Sequence, residues 1–240
     1  MAPAQENRTF SSPLEPPQRL LLLDSCHEWG FVALWEAGTT LFCKRQPATP
    51  TGAQQLPLLL EEALKAHAIL LSTVQLIAVT VGPGSYTGLR AALVMAKTMA
   101  YAMHKPLIAL SSLELLLPPA DLLPSRSCFY SLLDARMGGL YHSRAMIDLG
   151  KPHFSLARLD SWEQFYNEVE EGALLVTPHL AAIQARLGAN EKELLVLEQL
   201  PSSDWMGQLA LERYAEGSLA DPRDVAALYL RKTQAEINLA

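Results

Sequence analysis

Basic residues are in short supply. The 240-residue chain has 19 lysines and arginines against 25 aspartates and glutamates, a formal net charge of −6. A protein that grips nucleic-acid phosphates unaided needs a basic surface, so stand-alone RNA or DNA binding is disfavoured. Cysteine is scarcer still. Cys26, Cys43 and Cys128 are odd in number and widely spaced, with no Cys-x-x-Cys, which excludes a disulfide framework and fits a reducing cytoplasm. No apolar run approaches the ~20 residues that a membrane-spanning helix needs. The six histidines form neither His-x-x-x-His nor His-Glu-x-x-His, so two imidazoles are not set on one helix face for a metal. Each histidine is expected at the surface or at a helix end. There is no Gly-x-Ser-x-Gly elbow and no cysteine in an electropositive motif, which argues against a covalent hydrolase. Glu61-Glu62 and Glu170-Glu171 are adjacent, so they point to different sides of a helix and read as solvated faces.

What is abundant is apolar: 50% of residues are hydrophobic and 18% charged, enough for one compact domain or two small lobes with real cores. One stretch organises the rest. Residues 74–81 are a β-branched and aliphatic run that reads as a buried strand. Gly82-Pro83-Gly84 breaks it, and Ser85 or Thr87 can cap the helix that follows, to about Met103. A strand, a glycine turn and a capped helix can cradle an anion or bring the helix tight against the sheet. A Walker loop would need Lys after Gly88, where Leu89 stands, and a dinucleotide turn would need glycine in place of Thr87. Within the helix, Leu89, Leu93, Ala96, Ala100 and Met103 recur at steps of four and three, and Ala91, Ala92, Val94, Met95 and Met99 make it apolar nearly all round. Such a helix is either a central core element or part of a subunit interface.

The rest of the chain falls into two similar passes. Residues 1–19, with four prolines among polar residues, read as a flexible tail without the apolar core of a secretory signal. A buried strand over 20–23 ends at Asp24, a hairpin spans 29–35 and 39–45, and 47–52 is a loop. A helix follows over 53–68, with Pro57 near its first turn and Leu56, Leu59, Leu60, Ala63 and Leu64 on its apolar side. The strand, glycine turn and helix come next, then a short strand over 106–110. The order then restarts. A strand over 128–133 ends at Asp134, 139–147 and 154–159 form a hairpin, and 161–170 is a helix. A strand over 174–177, a helix over 179–187, a strand over 194–197 and a helix from Ser202 or Ser203 to about Glu216 complete it. Asp221-Pro222 breaks the chain before a last segment at 226–231. The expected division is therefore a lobe over 20–110, a second over 111–220, and a terminal segment over 221–240.

The run Gly82-Pro83-Gly84-Ser85-Tyr86-Thr87-Gly88-Leu89-Arg90 resembles the signature of the bacterial TsaB family. So do Leu20-Leu21-Leu22-Leu23-Asp24-Ser25, Asp134-Ala135-Arg136-Met137 and the closing Tyr229-Leu230-Arg231. The resemblance implies an α/β fold, the duplicated actin/Hsp70-like (ASKHA) two-lobe architecture of mixed sheets flanked by helices. It also implies a role as the non-catalytic partner subunit in forming threonylcarbamoyladenosine at position 37 of tRNAs that read codons beginning with adenine. The partner would be a TsaD-type paralogue, which bears the metal-binding His-x-x-x-His pair missing here; a TsaE-type ATPase would join the pair, and tRNA would be met only through the complex. Alone, the chain is expected to homodimerise in the cytoplasm. The implied interface is Leu60 and Leu64 of the first helix with Leu89, Ala92, Leu93, Ala96, Met99 and Met103 of the second, the alanines allowing close approach. The implied vestigial cleft is Asp24, Ser25, Gly84, Ser85 and Asp134, with no catalytic residue, no metal and at most weak nucleotide binding. Two departures stand out: bulky Cys26, His27 and Glu28 follow Asp24 where phosphate would need close backbone approach, and Thr51-Gly52 replace a His-Ser pair before Leu56-Pro57. An independent small-molecule kinase or ATPase of the same fold, or a glycoprotease-like hydrolase, is the alternative.

Overall fold

The computed structural model describes residues 16–47, 50–122, 128–136, 139–188 and 192–230. The first sheet starts with β1 (Arg19–Asp24), β2 (Trp29–Glu36) and β3 (Thr39–Pro47). Leu20 to Leu23 are all fully buried, because both faces of this central strand are covered, which is why it reads as an unbroken apolar run. Ala37 and Gly38 turn the hairpin with positive φ, the geometry that matches the twist of paired strands. Helix α1 (Pro50–Ala66) leads to β4 (Leu76–Gly82), α2 (Tyr86–Met103) and β5 (Leu107–Ser111). The sheet order is β3-β2-β1-β4-β5, with β1, β4 and β5 parallel.

The second sheet repeats the scheme. Strand β6 (Cys128–Asp134) takes the place of β1, β7 (Gly139–Asp148) that of β2, and β8 (Lys151–Phe154) and β9 (Arg158–Ser161) together that of β3. Helix α3 (Trp162–Glu168), β10 (Leu174–Thr177), α4 (Leu180–Leu187) and β11 (Leu195–Glu198) follow, in the order β11-β10-β6-β7-β8. Ser161 and Gln164 form a reciprocal capping box at the start of α3, satisfying two amides that the helix itself cannot.

The last helix, α5 (Ser203–Ala215), departs from the expected division. Its Met206, Leu209 and Ala210 pack on Leu20, Leu22, Phe31, Ala33 and Ile108, the face of the first sheet opposite α1 and α2. The chain therefore returns to the first lobe well before residue 220. Ala220 and Leu228 beyond α5 stay there: the Ala220 amide donates to the Leu107 carbonyl (2.8 Å) and the Leu228 amide to the Val81 carbonyl (2.7 Å).

Four smaller boundaries shift as well. Gln18 and Arg19, expected in the tail, are tied to the fold through Gln75 Oε1. The loop expected over 47–52 is shorter, since β3 runs to Pro47 and α1 starts at Pro50. Pro57 thus lies about two turns inside α1, on the exposed side, where water can serve the carbonyl that loses its amide partner. The hairpin expected over 139–159 has a second arm broken after Phe154, both pieces pairing with β7. The segment at 226–230 forms neither helix nor strand, and Arg231 lies outside the described residues.

The core explains why α2 is so apolar. Ala92, Leu93, Ala96 and Ala100 pack with Leu56, Leu59, Leu60 and Ala63 of α1 over Leu21, Leu23, Ile77 and Val79 of the sheet. Of the interface residues expected from the sequence, Leu60, Leu89, Ala92, Leu93 and Ala96 are at most 6% exposed. They form this chain's own core and have no surface to give a partner. Leu64, Met99 and Met103 are half-buried at its edge. The outward side of α2 is Thr87, Arg90, Val94, Thr98 and Tyr101, with Val94 62% and Tyr101 65% exposed, and Leu58 of α1 59% exposed.

Candidate functional site

The glycine turn is a packing joint. Ser85 caps α2 through the Gly88 amide at 3.4 Å, and the Ser85 amide donates to the Cys26 carbonyl at 2.8 Å. A methyl group on Gly84 would lie 2.1 Å from that carbonyl oxygen, and one on Gly88 would lie 2.1 Å from the carbonyl oxygen of Ser25. Only glycine admits this backbone-on-backbone approach. The turn after β1 thus packs directly on the loop and leaves no space between the two.

Asp24 lies beneath this joint and is fully buried. Its Oδ1 accepts from Thr80 Oγ1 (2.6 Å) and the Cys26 amide (3.2 Å), and the Cys26 thiol donates to Thr80 Oγ1 (2.9 Å). Burial and the neighbouring Asp24 push the Cys26 thiol well above its ordinary range, so it is an inert core group. Ser25 is equally buried. Neither Asp24 nor Ser25 reaches the cleft that the sequence assigned to them. Of that set, Gly84, Ser85 and Asp134 line it.

The cleft itself lies between the lobes and has a volume of about 600 Å³. The first lobe contributes the turn Cys26–His27–Glu28 and the start of α2, from Gly84 to Thr87; the second contributes Leu133 to Arg136, Tyr141, His179 and Ala182. Asp134 Oδ1 accepts from the Arg136 amide (2.9 Å) and from the Arg186 guanidinium (3.3 Å), and the Asp134 amide donates to His179 Nδ1 (3.2 Å). A neutral His179 therefore carries its proton on Nε2. Burial lowers its pKa and Arg136 adds to that, against the opposing pull of Glu28 and Asp134.

His27 is one of two histidines that sequence reasoning misplaced. Expected at the surface or a helix end, it is 3% exposed, and neither ring nitrogen has a hydrogen-bond partner among the described residues. Burial lowers its pKa, opposed by Asp24. His142 is also buried, bonded through Nε2 to Asp160 (2.7 Å), whereas His179 stands at a helix start as expected. His27 and His179 belong to different lobes. Their one shared signal is position: each lies just past the end of a parallel strand, His27 after β1 and His179 after β10. Among the described residues no three His, Cys, Asp or Glu side chains gather as a metal-binding group, and no helix is long and apolar enough to cross a membrane.

Two mixed sheets of matching order, flanked by helices and enclosing a cleft, define an ASKHA-like fold. The solved structure of YeaZ from Pseudomonas aeruginosa superposes with a TM-score of 0.74 at 22% identity, over 89% of this chain and all of that one. A family model described as TsaD, tRNA N6-adenosine threonylcarbamoyltransferase, matches residues 48–152. The chain is 25% identical to tRNA threonylcarbamoyladenosine biosynthesis protein TsaB of Escherichia coli K12, over 90% of this chain and 96% of that protein. It is 29% identical to the protein of the same name from Bacillus subtilis 168, over 67% and 71% of the two. The chain is thus similar over most of its length to proteins that carry the TsaB name.

Proposed function

We propose that this chain is the accessory subunit of the complex that forms threonylcarbamoyladenosine in tRNA, acting by pairing with a TsaD-type paralogue. The observation that carries the reading is similarity along nearly the whole chain to proteins named for that biosynthesis. The closed glycine joint agrees with a role outside catalysis, since the Ser85 amide is engaged with the Cys26 carbonyl and Gly84 and Gly88 pack directly on the Ser25–Cys26 turn. The chain works without a cofactor of its own, nucleotide binding in its cleft being weak at most. A TsaE-type ATPase joins the assembled pair in the cytoplasm, and tRNA is met through the complex, as a net charge of −6 suits.

The pairing surface is the outward side of α1 and α2. Its α2 stripe is Thr87, Arg90, Val94, Thr98 and Tyr101, positions three or four apart that share one helix face. Val94, Tyr101 and Leu58 expose apolar surface that a soluble monomer gains by covering. The same face pairs two copies when the paralogue is absent. Val94→Glu is the decisive variant, because Val94 is exposed and its replacement leaves the core intact. A charge at Ala96 would instead break packing, since Ala96 has no exposed surface. Val94→Glu is expected to weaken co-purification with the TsaD-type paralogue by at least about tenfold, the ~1.4 kcal/mol that one desolvated interface charge readily costs, at an unchanged melting temperature. Normal pairing by this variant in analytical ultracentrifugation would refute the assigned face.

A further inference from the structure

The turn after β1 hides polar atoms that nothing serves. Ser25 and His27 are 1% and 3% exposed, and the Ser25 hydroxyl and both His27 ring nitrogens are buried with no hydrogen-bond partner among the described residues. Asp24 Oδ2 is unpartnered as well, so no hydrogen bond joins it to the ring. Buried polar groups in folded proteins are almost always paired. Orphaned atoms on two side chains of one short turn therefore mark a segment that water would satisfy better than the protein does. Cys26 holds the segment down. Its carbonyl accepts from the Ser85 amide (2.8 Å), its amide donates to Asp24 Oδ1 (3.2 Å) and its thiol to Thr80 Oγ1 (2.9 Å). Gly84 and Gly88 pack against the Ser25–Cys26 backbone. The far end already reaches the surface, where Glu28 is exposed and Trp29 is 48% exposed.

His27 sets when this balance tips. A second ring proton makes both nitrogens donors, and neither has an acceptor or touches solvent in the closed turn. Burial opposes the charged ring most strongly; Asp24 at the end of β1 favours it, and His179 across the cleft and Arg45 of β3 oppose it. His179, itself lowered chiefly by burial, faces Glu28, Asp134 and Arg136. With the turn lifted into water, the imidazole titrates as a free one, at about pH 6.5. We infer that Ser25–Glu28 is a strap over the start of α2, released when His27 takes up a proton. The strap is closed at neutral pH and opens more often as pH falls, because the open form binds the extra proton and the closed form does not. Opening frees the Ser85 amide and the first turn of α2, while Asp24 stays bonded to Thr80. It is a local event, distinct from unfolding of the lobe.

The strap lies within the first lobe and does not depend on the pairing proposed above. Its test is amide hydrogen exchange of the full-length chain at about pH 7.5 and 5.5, corrected for the intrinsic pH dependence of exchange. The Ser85 amide reports the strap, and the Ile77 amide, bonded to the Pro106 carbonyl in the sheet, reports the lobe. Protection at Ser85 is expected to fall about tenfold between the two pH values, the ratio set by a group that titrates near 6.5 in the open form alone. At the lower pH it should lie at least about tenfold below protection at Ile77. His27→Phe should abolish the fall at Ser85. Should that variant fail to fold, the ¹⁵N resonances of His27 in the parent chain replace it, and they should remain those of a neutral ring at the lower pH. Unchanged Ser85 protection, equal protection at Ser85 and Ile77, a fall that survives His27→Phe, or a protonated His27 ring beneath a protected Ser85 amide would each overturn the assignment.

Discussion

Gly84→Ala isolates the joint between the glycine turn and the first strand. Gly84 does not have positive φ, so alanine brings no backbone penalty and any loss comes from contact. The added methyl would sit 2.1 Å from the Cys26 carbonyl oxygen and 2.9 Å from its carbon. Both are backbone atoms of a turn anchored through Asp24 and Thr80, so the turn and the loop must separate. Separation breaks the 2.8 Å bond from the Ser85 amide to Cys26, worth about 1 kcal/mol, and strains a packed interior by about 1–3 kcal/mol. The sum is roughly 2–4 kcal/mol, which for a chain of this size lowers the melting temperature by about 4–16 °C. Thermal unfolding followed by circular dichroism reads this directly. Ser85→Ala is the comparison: it removes only the helix cap, for about 1 kcal/mol. An open anion cradle would behave in the opposite way, tolerating the methyl while losing ligand. A Gly84→Ala melting temperature within about 2 °C of the parent would refute the packing account.

Other consequences concern the remaining joints. Gly207→Ala should loosen α5 from the first sheet by about 1–3 kcal/mol, because the new methyl would meet the Trp35 indole at 2.5 Å; urea unfolding followed by tryptophan fluorescence measures it. Thr80→Val removes the hydroxyl that links the Cys26 thiol to Asp24, and should cost about 1.5–3 kcal/mol in the same assay. Burial lowers the pKa of His27 and of His179 in the folded chain, so the unfolded chain holds more protons at mildly acidic pH. Their contribution to stability is complete above about pH 6.5 and is lost as pH falls below it. The double variant His27→Gln, His179→Gln should therefore show a shallower fall in melting temperature between pH 7.5 and 5.5, and an identical slope would count against it.

Local pattern and long-range placement differ sharply in how far they can be read from this chain. The run Leu20–Leu23, the alternating arms around Ala37-Gly38, and Ser85 as a helix cap follow from periods of two and of 3.6 and from turn chemistry. Those signals carry the order of elements along each lobe and, through its recurrence, the duplication. An apolar stripe states that a helix face is covered, but not by what. Met206, Leu209 and Ala210 therefore foretell a buried face on α5 without revealing that it crosses back to the first sheet. The same limit divides α2. Leu93 and Val94 are neighbouring aliphatic residues, yet one is 6% and the other 62% exposed, because α1 and the sheet cover one side only. An all-round apolar helix gives no local cue to which side that is. The cleft is harder still. His27 and His179 line one cavity because β1 of the first sheet and β10 of the second both end at it. Neither histidine belongs to a motif, and the burial that makes His27 chemically distinctive comes from elements distant in the chain. The cue that the amino-acid order does hold for such residues is the repeat: once two lobes are aligned strand for strand, the residues just past the ends of their parallel strands become candidates together.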